Sequence, residues 1–193
     1  MGATTRGLRP GLSLVFSIVA AQSACGQQSD ARLATSDAVC SAVKVVLDSI
    51  GAANAAQPVV IQTPTVAYRP GIFTDQYLSV LRALPGVSAS TWSSFQEQNR
   101  APQNVCPRLA HEGPPPVDRE SEWWTGFHSR HPPAAGLATV SGPGMNPEQT
   151  QILLVVSLHV SAQAGSRYRV VLDRPAKSDV WRISRMRMES LGD

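Results

Sequence analysis

The chain has 193 residues, 42% of them hydrophobic and 16% charged, with a formal net charge of +3. That length suits one domain with short appendages, and a core of that size needs no metal or dense disulfide framework to hold it. The charge gives little ground for nucleic-acid binding: without Arg6 and Arg9 the 17 basic side chains fall to 15, against 14 acidic ones.

At the N-terminus, Arg6 and Arg9 precede the apolar run Leu12 to Ala21 (LSLVFSIVAA), and the small residues of AQSAC follow. This is the order of a secretion signal, and no stretch reaches the 18 or so continuous apolar residues of a membrane-spanning helix. The arrangement resembles a bacterial lipoprotein signal peptide. That resemblance implies cleavage after Ala24, acylation of Cys25 (a palmitate-type anchor), and attachment to the cell envelope at the periplasmic face or outer membrane. Gln22 stands where such signals usually carry Leu, and ordinary cleavage after Ser23 or Ala24 would instead give a secreted protein with a free Cys25. Residues 1–24 are therefore set apart as a signal peptide, 25–35 as a polar tether, and 36–193 as one α+β domain. With Cys25 lipidated, Cys40 and Cys106 form an even pair, and a bridge between them is expected. Two buried free thiols are the alternative, and no CxxC spacing suggests a metal.

Within the domain, Thr35 or Ser36 can cap a helix in which Val39, Cys40, Val43, Val46, Leu47 and Ile50 recur at helical spacing, up to Gly51. VVIQT, opened by Pro58 and ended by Pro64, reads as a strand. Asp75 to Leu84, closed by Pro85 and Gly86, predicts a second helix. Ser90 can cap a third, carrying Trp92 and Phe95 to about Asn99. Residues 101–117, with their run of prolines, read as a long loop. Next comes EWWTGFHSRHPPAAG, read as a structural corner with a loop entering a sheet, because Pro132 and Pro133 argue against a helix there.

The remainder is β. GLATVS is a strand and GPGMNPE a turn. Gln151 to Ser161 is apolar on both sides and so central. Gly165 turns into SRYRVVLD, with Tyr168, Val170 and Leu172 inward and Arg167 and Arg169 outward. In the last strand, Val180 to Met188, Trp181 and Ile183 are out of phase with Met186 and Met188, which predicts a β-bulge near Ser184 and Arg185. The fold class expected is α+β: helices packed on one face of an antiparallel sheet, with a C-terminal β-meander.

Trp124 to Phe127, His131-Pro132, Gly136, the stretch ATVSGPGMNPEQTQILLVVSLHVSAQAGSRYRVVL, VWRISRM and the earlier VVIQT together resemble a widespread group of bacterial secreted and lipoprotein-type proteins. The resemblance implies no catalytic residue and no cofactor. His131 stands where that group has Tyr or Phe, which favours packing over metal binding.

Three constellations carry what chemistry the sequence offers. His128 and His131, with Glu122 or Glu120 nearby, could form a metal or acid/base site, and a small-molecule-binding or hydrolytic enzyme would be built there; against it, no third ligand at a defined position is identifiable. Arg167, Arg169 and Arg182 are expected on one outward face, able to meet an anionic surface or an acidic envelope protein, or else to serve as a solvated face that keeps sheet edges apart. His159, with Ser157, makes a polar notch in an otherwise apolar strand. No GxSxG elbow, HExxH, Walker loop or dinucleotide fingerprint occurs. The sequence thus favours an envelope-anchored or secreted module that binds or scaffolds.

Overall fold

The computed structural model describes residues 24–55, 57–62, 84–100, 105–106, 108–109, 111–176 and 178–191. The signal segment up to Ser23 and most of the expected helix over 75–84 lie outside the described residues.

Helix α1 runs Ala24–Ala53, so the segment expected as a tether is helical backbone. The reason is local: from Gln27 to Ser36 no Gly or Pro interrupts the chain, and Gln, Ala, Arg and Leu lose little entropy in a helix. The helix also passes Gly51, its expected stop. It ends where the Asn54 side-chain amide donates to the Ile50 carbonyl at 2.7 Å and Ala55 takes a left-handed φ of 61°. Gly51 serves close approach instead: a Cβ there would meet the Gln57 carbonyl oxygen at 2.5 Å.

After strand β1 (Val59–Gln62), helix α2 spans Ala89–Gln98 and is capped by Ser88 rather than Ser90, the Ser88 hydroxyl accepting from the Thr91 N–H at 3.1 Å. A short strand β2 (His111–Glu112) lies inside the Pro-rich stretch. Helix α3 then spans Glu120–Arg130, where a corner was expected. Pro132 and Pro133 act on the residues just before them, so they end this helix at His131 without preventing it. Glu120 and Glu122 in its first turn and His128 and Arg130 in its last suit the helix dipole.

Strands β3 (Gly136–Val140), β4 (Gly144–Met145), β5 (Gln151–His159), β6 (Gly165–Asp173) and β7 (Arg182–Leu191) complete a seven-stranded sheet of order β2-β1-β3-β5-β6-β7, with β4 also paired to β5. β5, β6 and β7 form the expected antiparallel meander. The N-terminal side is parallel: β1 pairs in parallel with both β2 and β3. The predicted bulge is present, since Leu172 faces Ile183 and Val171 faces Arg185, leaving Ser184 as the extra residue.

The class is α+β, and the helical layer is divided between both faces of the sheet. Along β5, Ile152, Leu154, Val156 and Leu158 pack with Val39, Val43, Val46 and Ile50 of α1, while Leu153 and Val155 pack with Trp92 and Phe95 of α2. On that second face, nearer β1 and β3, α3 sets Trp124 and Phe127 against Val60 and Leu137. β5 is therefore apolar on both sides because both sides are covered. α2 comes so close to β4 that a Cβ on Gly144 would overlap the Thr91 carbonyl oxygen and the Phe95 side chain.

The expected Cys40–Cys106 disulfide is formed, with the Cα atoms 5.1 Å apart. It ties α1 to the loop that leads into β2. His111 Nε2, on β2, lies 2.8 Å from the Cys106 carbonyl oxygen.

Candidate functional site

The aromatic helix α3 organises the first candidate region. Trp124 and Phe127, three residues apart, share its buried face. Phe127 stacks on Trp123 with ring centroids 5.3 Å apart and meets Trp124 edge-on, also at 5.3 Å. His131, at the C-cap, lies with its ring centroid 5.0 Å from that of Phe127.

The three residues suggested by sequence do not converge. Glu122 is exposed in the first turn, and His128 is exposed in the last turn beside Trp124 and Phe127. His131 has a different carboxylate partner: its Nε2 donates to Glu112 Oε2 at 3.0 Å, and Arg130 Nε donates to the same oxygen at 3.1 Å. Arg130 also lies over the Trp123 ring, 5.9 Å from its centroid. Glu112 comes from β2, whose parallel pairing with β1 helps to set it at the end of α3. Nothing in the sequence near Glu112 signals that juxtaposition. No group of three or more His, Cys, Asp or Glu side chains among the described residues could hold a metal ion. What the Glu112–Arg130–His131 cluster can do chemically is pin β2 to the helix end.

Among the described residues, two groups with shifted pKa values couple stability to pH, in different windows. Burial opposes the charge of Glu112, but hydrogen bonds from His131 and Arg130, with the Arg130 charge, outweigh it and hold this carboxyl below the ordinary glutamate value of 4.5. Its contribution is present above that value and is lost as pH falls through the lowered pKa. Burial, then the charge of Arg167, lowers the pKa of His159 from the ordinary 6.5, against a smaller opposing effect of Glu120. Protonating His159 is therefore unfavourable in the fold, and stability falls as pH drops below about 6.5. Thermal melts between pH 3 and 8 should show both slopes, with Glu112→Gln flattening the lower window and His159→Gln the upper one. Unchanged slopes in both variants would refute this assignment.

The second region is the arginine face. Register puts Arg167, Arg169 and Arg182 on the face that carries α2 and α3, with Arg167 opposite Ser157 and Arg182 opposite Asp173. Arg182 is exposed. Arg169 departs from the expectation: it is only 4% exposed and ion-paired with Glu189, so it cannot present a charge outward. Arg167 is half-buried, its Nε donating to Ser157 Oγ at 3.3 Å, which fills the notch beside His159. Strand alternation gives the side of the sheet a residue occupies and says nothing of how well that side is covered.

A third feature is a shallow open groove of about 330 Å³ between the C-terminal end of α1 and the start of β1, lined by Lys44, Leu47, Asp48, Gly51, Gln57 and Pro58. Its two charges neutralise each other, Lys44 Nζ lying 2.7 Å from Asp48 Oδ2. Cys25, the expected acylation point, is the second residue of α1. No helix among the described residues is long and apolar enough to cross a membrane. No family model, curated protein or solved structure matches the chain, so the resemblance drawn from the Trp124–Phe127 to VWRISRM pattern rests on those residues alone.

Proposed function

We propose that this chain is an envelope-anchored module that binds or scaffolds, with α1 as the mast joining a lipid on Cys25 to the folded domain. The observation that carries this reading is the continuity of α1, which runs from Ala24 through the described core residues Val39 to Ile50 without a break. A helix rises 1.5 Å per residue, so the stretch from Cys25 to Asp37 would be a stiff spacer of about 18 Å. The disulfide from Cys40 to Cys106 then ties that mast to the loop that leads into β2. A single acyl chain gives only marginal membrane binding, so stable anchoring needs the further chains of a bacterial lipoprotein or a second contact. The exposed Arg182 could help provide that contact at an anionic headgroup surface. In the secreted alternative, the same domain is released with a free thiol at Cys25. Binding is preferred over hydrolysis because Glu122, His128 and His131 point to different surroundings and the Glu112 carboxylate is already committed to two donors.

Intact mass of the protein extracted from its host's membranes tests the anchor. A chain beginning at Cys25 with added acyl mass is expected, and Cys25→Ser should lose both the mass and the membrane fraction. An unacylated chain in the soluble fraction would replace the anchored reading with the secreted one.

A further inference from the structure

The outer edge of the meander carries an inference beyond membrane anchoring. β7 is the last strand of the described sheet. The bulge at Ser184 interrupts its inner part, and from Arg185 to Leu191 it runs in regular register with β6. In that stretch alternation sends Arg185, Arg187 and Glu189 to the α2 face, and Met186 and Met188 to the α1 face. Both methionines are exposed, at 41% and 66%. Arg187 faces Arg169 across β6, an unfavourable like-charge pair. Glu189 is ion-paired with Arg169, and Arg187 has no ion pair of its own among the described residues.

We propose that β7 pairs with β7 of a second copy, antiparallel, about a two-fold axis at Met188. This register uses the whole regular stretch, Arg185 opposite Leu191 of the second copy and the reverse. Arg187 then faces Glu189 of the second copy, twice by symmetry, so each Glu189 lies between a buried Arg169 of its own chain and an Arg187 across the interface. Met188 meets its own equivalent, and Met186 meets Ser190. Shifting the axis to Arg187 would oppose two arginines and draw the bulge into the pairing, and shifting it to Glu189 would oppose two carboxylates. The charge pattern thus selects one register, as cross-strand pairs do within a sheet. The interface is isologous, the commonest form for a homodimer, and it leaves both α1 helices on the same face of one continuous sheet. An arginine-rich edge would otherwise serve to repel strands; here Arg187 and Glu189, placed symmetrically about Met188, make the edge self-complementary.

Two measurements on the full chain test this, in a Cys25→Ser background so that only introduced thiols can link copies. Sedimentation equilibrium should show a dimer, weakened about tenfold or more by Arg187→Glu, which sets Glu against Glu189 of the second copy. Mild oxidation should link Met188→Cys into a covalent dimer and leave Met186→Cys, which faces Ser190, largely unlinked. Arg187 is exposed, so the circular dichroism spectrum of its variant should keep the wild-type shape. A monomer at all concentrations, a dimer indifferent to Arg187→Glu, or equal linking at both cysteine positions would each overturn the proposal.

Discussion

Replacing Cys40 and Cys106 together by alanine should lower the unfolding free energy by about 4 kcal/mol, the loop-closure entropy expected of a cross-link this long. The two residues are 66 apart in sequence, so the reduced chain regains the freedom of a long loop. Native-state losses add to this. Cys106 is buried with Val105 in the cluster beneath α1, and its carbonyl accepts from Leu109 N–H at 3.0 Å and lies 2.8 Å from His111 Nε2. Releasing Cys106 therefore loosens the approach to β2 and, with it, the Glu112 contact to α3. For a domain of this size each kcal/mol moves the melting temperature by about 2–4 °C, so calorimetry should record a fall of about 10 °C or more. A reductant should bring the wild-type protein to the same temperature and leave the double variant unchanged. A fall under about 2 °C would mean that the bridge constrains little beyond what packing already fixes.

How legible this fold was differs between its halves, for a physical reason. The C-terminal strands pair with sequence neighbours, so period-2 alternation and Gly165 suffice to lay out β5 and β6. The phase change between Ile183 and Met186 marks the bulge because one inserted residue must flip the side of everything after it. Cysteine parity likewise gives the Cys40–Cys106 bridge. The N-terminal half is held by parallel pairing of β1 with β2 and β3 across long connections, and such pairing leaves no local trace. Glu112 could not be linked to His131 without it. Arg169 shows the second limit, since alternation gave its face and not the cover over that face. The third is α3: Pro132 and Pro133 lie just past its C-cap at His131, where proline ends a helix without preventing it, and sequence alone does not place that boundary.

Phe127→Ala should destabilise the domain by about 3–5 kcal/mol, the range for removing a fully buried aromatic ring, whereas His128→Ala should change stability by no more than about 0.5 kcal/mol. The contrast follows from the rotation of about 100° between successive residues of a helix. Phe127 is fully buried between Trp123, Trp124 and His131 and packs in the cluster that joins α3 to Val60 of β1 and Leu137 of β3. His128, the next residue, only borders the Trp124 and Phe127 rings and is exposed. The loss at Phe127 would spread, because Val60 and Leu137 face each other in the parallel β1–β3 pair and the α3 end carries the Arg130 and His131 contacts to Glu112. Alanine at 127 opens a cavity beneath the helix whose walls, Trp124 and Leu137, are held by their own neighbours and can close it only in part. Urea denaturation of both variants, with elemental analysis for zinc on each, separates packing from ligation. Large destabilisation at Phe127 with a silent His128 makes the aromatic stretch a clamp between helix and sheet. Zinc that co-purifies with the wild-type protein and is lost with His128→Ala would instead make the two histidines a metal site and revive a catalytic reading of α3.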